Sequence, residues 1–240
     1  MFKNHFHHLV TTNISRLRYL MFVFVTALCV SCTNANKTVT ENKSDSTNNA
    51  GPNSTAIKSI LIFGNSLTAG FGLDDPATEA FPSIIQQKLD SLNLPYKVIN
   101  GGLSGETSAG GNGRVEWLLK NKVDVFVLEL GANDGLRGIP VDQTYKNLQS
   151  IVSKVKAKYP ACKLVLTGMM IPPNMGEQYA TNFKTIFPKL AKENKMAFVP
   201  FLLEGVAGNR TLNQQDGIHP TAEGAKILAE NVWEVLEKEL

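Results

Sequence analysis

Beyond its first 31 residues this chain of 240 holds a single histidine, His219, and Asp216 stands three residues before it. A serine hydroxyl is a weak nucleophile and needs a neighbouring base. An imidazole base needs, in turn, an acid on its second nitrogen to fix its tautomer and stabilise its cation. If a serine here is activated by histidine, His219 is therefore the partner, and Asp216 can orient it from within one turn of chain. The candidate serine is Ser66, in Gly64-Asn65-Ser66-Leu67, directly after the apolar run Ile60–Phe63. The same stretch also reads as a strand-to-helix turn with a capping serine. A tetrahedral intermediate needs preorganised donors around its oxyanion. The Ser66 N–H, the N–H of Gly105 (no Cβ to obstruct approach) and the side-chain amide of Asn133 would make three. Each piece alone is weak. Asp-x-x-His before a helix is usually a solvated loop or a cap, Gly-x-Asn-Asp is usually a turn, and the glycine-rich 101–113 stretch could be a flexible linker.

The elements that must position these residues alternate. Strand-like runs occupy Ile60–Phe63, Tyr96–Ile99, Val123–Leu130, Lys163–Thr167 and Ala197–Pro200. Between them apolar residues recur at helical spacing: Phe81, Ile84, Ile85, Leu89; Tyr145, Leu148, Ile151, Val152, Val155; Phe183, Phe187, Leu190. A last helix carries Ile227, Leu228, Val232, Val235 and Leu236. Alternating strands and helices predict an α/β fold, a doubly wound, mostly parallel five-stranded sheet between two helical layers. Near-continuous apolar strands such as Val125–Leu128 agree, because parallel strands are buried on both faces. In such a sheet the loops after successive strands gather at one edge, where ligands bind. The turn at Ser66, the segment Asn100–Thr107 and the turn Gly131–Gly135 should therefore converge. Met169–Met175 follows the fourth strand and should border the same edge. Its methionines suit an acyl chain, or the loop caps the core.

The leader has a different character. Residues 1–18 are polar and end in Arg16 and Arg18, and Tyr19–Val30 is an uncharged, mostly apolar run. That is short for a membrane span and right for a signal peptide. The run ends Leu28-Cys29-Val30-Ser31-Cys32, an imperfect lipobox with Cys29 where leucine is usual, which makes Cys32 a candidate for lipidation. A plain cleaved signal peptide or an uncleaved anchor would also fit. From Thr33 to about Thr55 the chain is dense in Asn, Thr, Ser and Lys, too polar to bury a core, and reads as a disordered tether. The expected organisation is a lipoprotein-type signal peptide at 1–31, a tether at 32–56 and a catalytic domain at 57–240. The chain would be exported and anchored at a bacterial cell envelope, facing the periplasm or the outside. Lys3, Arg16 and Arg18 lie in the leader, so the 24 basic residues fall to 21 beyond it, equal to the 21 acids. No basic patch remains to argue for nucleic acid, and one histidine excludes a multi-histidine metal site. Cys162 is the only cysteine of the domain; it reads as a small hydrophobe beside a strand.

Taken together, Gly64-Asn65-Ser66-Leu67, Gly105, Gly131-Ala132-Asn133-Asp134 and Asp216-Gly217-Ile218-His219-Pro220 resemble the four blocks of the SGNH (GDSL) hydrolases. The resemblance spans about Ile57 to Leu240. It is closest to the branch of periplasmic multifunctional esterases with thioesterase, arylesterase and lysophospholipase activities. Asn100–Ser108 and Glu129–Gly138 look like that branch's longer signatures, and Ile186–Glu193 is also similar. The resemblance implies a flavodoxin-like sandwich with Ser66 as nucleophile, His219 as general base and Asp216 orienting it. It implies an oxyanion hole of Ser66 N–H, Gly105 N–H and Asn133. One position departs: the family usually has aspartate before the serine, where this chain has Asn65. Leu67, Asn65, Pro172 and Pro173 are the candidate substrate-lining residues. The expected chemistry is hydrolysis of a small-molecule acyl ester or lipid by a monomer needing no metal and no cofactor, with medium acyl groups preferred to acetate. A carbohydrate or cell-wall O-acetylesterase is the alternative enzyme, and an inactive surface-tethered binding lipoprotein the alternative from another class. An α/β-hydrolase elbow would need glycine where Thr68 stands, and a phosphate-binding loop would need a following Lys-Ser/Thr.

Overall fold

The structure, a computed structural model, describes residues 56–240. The expected signal peptide, Cys32 and nearly all of the expected tether lie outside the described residues. In chain order the elements are β1 (Lys58–Gly64), α1 (Ser66–Ala69), α2 (Pro76–Glu79), α3 (Phe81–Ser91), β2 (Tyr96–Gly102), α4 (Ser108–Leu118), β3 (Val125–Glu129) and α5 (Ala132–Leu136). They continue with α6 (Val141–Lys158), β4 (Lys163–Thr167), a 3₁₀ turn at Pro173–Met175, α7 (Glu177–Asn194), β5 (Ala197–Val199), α8 (Ala222–Leu236) and a 3₁₀ turn at Glu237–Glu239. The strands form one sheet in the order β2-β1-β3-β4-β5, and every pairing is parallel. Among the described residues no helix is long and apolar enough to cross a membrane.

This order follows from the sequence pattern. The five strands are short and β-branched, and β1 and β3 are buried on both faces, as helices on both sides of a parallel sheet require. The long helices turn an apolar stripe inward. α6 buries Leu148, Ile151, Val152 and Val155, and α7 buries Phe183, Phe187 and Leu190. α3 packs on α8, while α4, α6 and α7 pack in series. Phe63, Phe81, Phe126, Phe183 and Phe187 are fully buried and fill the layers above and below the sheet.

The direction of winding reverses between β1 and β3. From β1 the chain steps outward to β2, then returns across β1 to β3 and continues to β5. The loops after β1 and β3 therefore splay apart and leave a crevice at the carboxyl edge, the place where such sheets bind ligands. Register makes room there. Gly64 pairs with Gly102 on one side and with Glu129 on the other. A Cβ on Gly102 would come within 2.2 Å of the Ala69 nitrogen, and a Cβ on Gly64 within 2.4 Å of a Glu129 carboxylate oxygen. Small residues at the strand ends thus let α1 settle onto the sheet edge.

Several sequence readings change. β2 runs through Gly102, so the expected loop Asn100–Thr107 begins three residues later than its motif. The glycine-rich stretch from Ser108 is helix α4, not a linker. Glycine is a poor helix former, but a Cβ on Gly111 would lie 2.4 Å from Leu130 Cδ1. Close approach to the sheet, which only glycine allows here, holds this helix in place. Strand ends also shift, with β3 ending at Glu129 and β5 at Val199. Cys162 lies just before β4, half-buried, and burial pushes its thiol up to about 12.

The two classes of glycine respond oppositely to a methyl group. Gly102→Ala forces Cβ onto backbone atoms and is expected to lose about 1–3 kcal/mol. Gly113→Ala, on the exposed face of α4 with nothing within 4 Å of its Cβ, is expected to gain roughly 0.5–1 kcal/mol. Urea unfolding of the two variants, with slopes compared to the parent, checks both signs.

Candidate active site

β1 delivers the chain to Gly64, and Asn65 starts the next turn. Its Oδ1 accepts the Leu67 N–H at 2.9 Å, capping α1, so that Ser66 is the first helical residue. The first N–H groups of a helix have no carbonyl partner within it, so the Ser66 N–H is presented at the crevice. Beneath the turn lies Glu129, the last residue of β3, with no exposed surface. Its Oε2 accepts the Asn65 N–H at 3.0 Å and the Thr68 hydroxyl at 2.8 Å. Its Oε1 accepts the Asn65 side-chain N–H at 2.7 Å. Burial pushes the Glu129 carboxyl up, the bonds from Asn65 and Thr68 pull it back, and the balance is about 7.

The histidine arrives from the far end of the chain. Residues 212–221 double back on themselves: Gln214 N–H donates to the His219 carbonyl at 2.7 Å and Thr221 N–H to the Leu212 carbonyl at 2.9 Å. Gly217 turns the tip with a φ of +76°. Asp216 Oδ1 accepts the N–H groups of Ile218 and His219, both at 3.0 Å, and its Oδ2 lies 2.6 Å from His219 Nδ1. Partial burial pushes this carboxyl up, but the bond from the imidazole and the two N–H groups outweigh it and hold it below the usual carboxylate range. A carboxylate on Nδ1 assigns the proton to that nitrogen, which leaves Nε2 as an acceptor. Nε2 lies 2.8 Å from Ser66 Oγ.

Opposite the histidine are the candidate oxyanion donors. Gly105, with a φ of +80°, turns the loop after β2. Asn133, in α5, donates one amide hydrogen to the Glu106 carbonyl at 3.0 Å and keeps the second. The loop is braced from behind. Arg114 Nε donates to Glu106 Oε1 at 2.7 Å, its Nη2 donates to the Gly101 carbonyl at 2.8 Å, and its guanidinium stacks on Phe63.

A cavity of about 650 Å³ opens over these groups. Asn65, Ser66, Leu67, Gly105, Asn133, Pro172 and His219 all line it, and Asp216 stands behind the imidazole. Pro173 begins the 3₁₀ turn that follows Pro172. The remaining wall is mostly apolar, with Met169, Met170, Ile171, Phe201 and Leu203 on it. A serine, an imidazole and an acid in hydrogen-bonded series, facing N–H donors across an apolar cavity, can carry out acyl transfer.

Comparison with known proteins identifies the family. The model of the GDSL-like lipase/acylhydrolase family matches residues 62–227. The chain belongs to that family. It is 39% identical over 183 residues to the esterase TesA of Pseudomonas aeruginosa, which covers 76% of this chain and 89% of the relative. It is 38% identical over 176 residues to thioesterase 1/protease 1/lysophospholipase L1 of Escherichia coli K12, covering 73% and 81%. The crystal structure of TesA superposes with a TM-score of 0.72 at 39% identity, covering 76% of this chain and all of that one.

Three features of this lipase/acylhydrolase escape the sequence reading. Glu129 carries the turn under Ser66; an acid closing a strand buried on both faces is its one sequence signal, since such a group demands donors. Gln214 ties two loops together, its Nε2 donating to the carbonyls of Phe71 at 2.7 Å and Pro220 at 2.9 Å. The Phe71 ring lies 4.7 Å, centroid to centroid, from the imidazole of His219. Long-range bonds of a surface glutamine leave no pattern in sequence.

Gln214→Ala removes the tie between the Phe71 loop and the His219 loop. The expected result is a fall of about tenfold in kcat, or ~1.4 kcal/mol, with KM for a short ester within about twofold of the parent. Steady-state kinetics on p-nitrophenyl butyrate checks it.

Proposed function

We propose that this chain hydrolyses carboxylic esters and thioesters of medium acyl chains through an acyl-enzyme on Ser66. The observation that carries the reading is the series Asp216 Oδ2, His219, Ser66 Oγ, with contacts of 2.6 and 2.8 Å, ending in an apolar cavity. His219 Nε2 takes the Ser66 proton as Oγ attacks the acyl carbon. The carbonyl oxygen becomes an oxyanion beside the N–H groups of Ser66 and Gly105 and the free amide hydrogen of Asn133. The imidazolium, steadied by Asp216, then gives its proton to the departing alcohol or thiol. Water repeats the sequence on the acyl-enzyme and releases the acid. A cavity of about 650 Å³ is in the range that holds a drug-sized ligand, and its Met169, Met170 and Ile171 wall suits a flexible acyl chain. The names of the relatives, an esterase and a thioesterase/lysophospholipase, support the same reaction class. Asn65 keeps the capping bond to Leu67 that a carboxylate would make, which supports its being a tolerated variant. Export and lipidation at Cys32, with the polar stretch as tether, complete the proposal.

Ser66→Ala is expected to lose turnover and fluorophosphonate labelling while unfolding like the parent. Asn133→Ala should lose about 10²–10³ in kcat; full activity would remove it from the oxyanion hole. A p-nitrophenyl ester series should rise in kcat/KM from acetate to medium chains. A maximum at acetate with a steep fall beyond it would favour an O-acetylesterase, and an unlabelled Ser66 in folded parent would favour a binding protein. Radiolabelled fatty acid incorporated in a bacterial host should be lost in Cys32→Ala.

A further inference from the structure

The buried carboxylate of Glu129 has no part in the acyl-transfer steps, yet both of its oxygens are bonded to the turn that carries Ser66. The donors facing it belong to the nucleophile turn: the Asn65 N–H at 3.0 Å, the Asn65 side-chain N–H at 2.7 Å and the Thr68 hydroxyl at 2.8 Å, with the Thr68 N–H also turned toward it. We infer that Glu129 is a positioning residue for Ser66, its two oxygens fixing the Asn65–Thr68 turn on which Oγ meets His219. The inference rests on Ser66 acting as the nucleophile.

The argument is one of hydrogen-bond polarity. Asn65 is committed at both ends of its amide. Its Oδ1 accepts from Leu67 N–H, so its Nδ2 faces Glu129 as a donor. Its main-chain N–H is a donor by necessity. Glu129 must therefore accept on both oxygens. It can do so ionised, and also protonated on Oε2, because the Thr68 hydroxyl can reverse and accept that proton. Glutamine cannot. With its amide nitrogen in the Oε1 place it opposes Asn65 Nδ2; in the Oε2 place it opposes the Asn65 main-chain N–H. Turning the Asn65 amide over moves the clash to Leu67 N–H. Each arrangement leaves buried donors facing one another, which is costly, and the turn must shift to relieve it. Gly64, whose Cβ would fall 2.4 Å from Oε2, leaves no slack on the sheet side.

The same logic names the repair. In Asn65→Asp/Glu129→Gln the polarity is exchanged. Asp accepts from Leu67 N–H and from the glutamine Nε2, while the glutamine oxygen accepts the main-chain N–H and the Thr68 hydroxyl. In Asn65→Asp alone, two carboxyls face each other across the 2.7 Å contact and must share a proton. Among the described residues no other titratable side chain bonds to Glu129 from β1, α1 or β3. His219, from the 212–221 loop, meets the opposite side of the turn through Ser66 Oγ. The burial that pushes the Glu129 carboxyl up also makes an unshared pair of charges unfavourable there.

The test is the cycle Glu129→Gln, Asn65→Asp and the double variant. It is read as kcat per fluorophosphonate-titratable Ser66 on p-nitrophenyl butyrate from pH 6 to 10, with a thermal melt of each. Glu129→Gln should lose about 10–100-fold in kcat with KM within about twofold, the size of effect that misplacing a reacting group produces. Asn65→Asp should stay within about tenfold of the parent near neutrality and acquire an alkaline loss that the parent lacks. The double variant should recover to within about threefold of the parent over the whole range. Parent-like kcat in Glu129→Gln, or a loss that the double variant does not recover, overturns the inference. A labelled parent Ser66 with unchanged Glu129→Gln sinks this inference alone; an unlabelled parent Ser66 sinks the nucleophile assignment and this inference with it.

Discussion

The contact between Ser66 and His219 joins residues 153 positions apart, and most of the architecture serves it. One partner is rigid. Ser66 follows the central strand β1, and the turn that holds it is buried, capped by Asn65 and seated on Glu129. The other partner is carried by an exposed doubled loop that must reach over the sheet edge. A hydrogen bond between two such parts can form only if the loop brings its own geometry. Asp216 supplies it, since one carboxylate takes both the imidazole and two main-chain N–H groups. The acid thus shapes the loop as well as the base, and histidine and aspartate move as one body.

The reversal of strand order explains why the remaining groups meet there. β1 and β3 are neighbours whose connections leave in opposite directions, so Ser66 and Asn133 face each other across an open crevice. Gly105 joins them from β2 on the near side. The apolar wall comes from the loops after β4 and β5, where Met169, Ile171, Phe201 and Leu203 lie. Ser66, Gly105 and Asn133 therefore come from β1 to β3, most of the apolar wall comes from the loops just after β4 and β5, and Asp216 and His219 come from the doubled loop further along the chain.

Much of this is legible in the sequence for a definite reason. Strands buried on both faces must be continuous apolar runs, so β1 and β3 are readable as such, and the parallel order follows from the intervening helices. Ser66, Asp216 and His219 stand out because the domain has only one imidazole. What escapes is whatever depends on fit. Helix α4 contradicts the local preference of its glycines and exists because Gly111 lets it lie against Leu130 and Phe63. Strand ends are set by pairing register, which a single strand does not encode. Glu129 looks like an ordinary acid at a strand end until the donors of Asn65 and Thr68 are in view, and Gln214 reveals itself only through carbonyls 143 and 6 residues away.

The chain enters the described domain at Ala56, just before β1, and β1 rises seven residues to reach the site, about 20 Å at the usual strand rise. Leu240 returns to the same low edge, where its carbonyl accepts the hydroxyl of Tyr96, the first residue of β2. Both handles of the domain therefore sit on the face opposite the mouth. A fusion made directly at Ala56 or Leu240 is therefore separated from the cavity mouth by the length of a strand, about 20 Å.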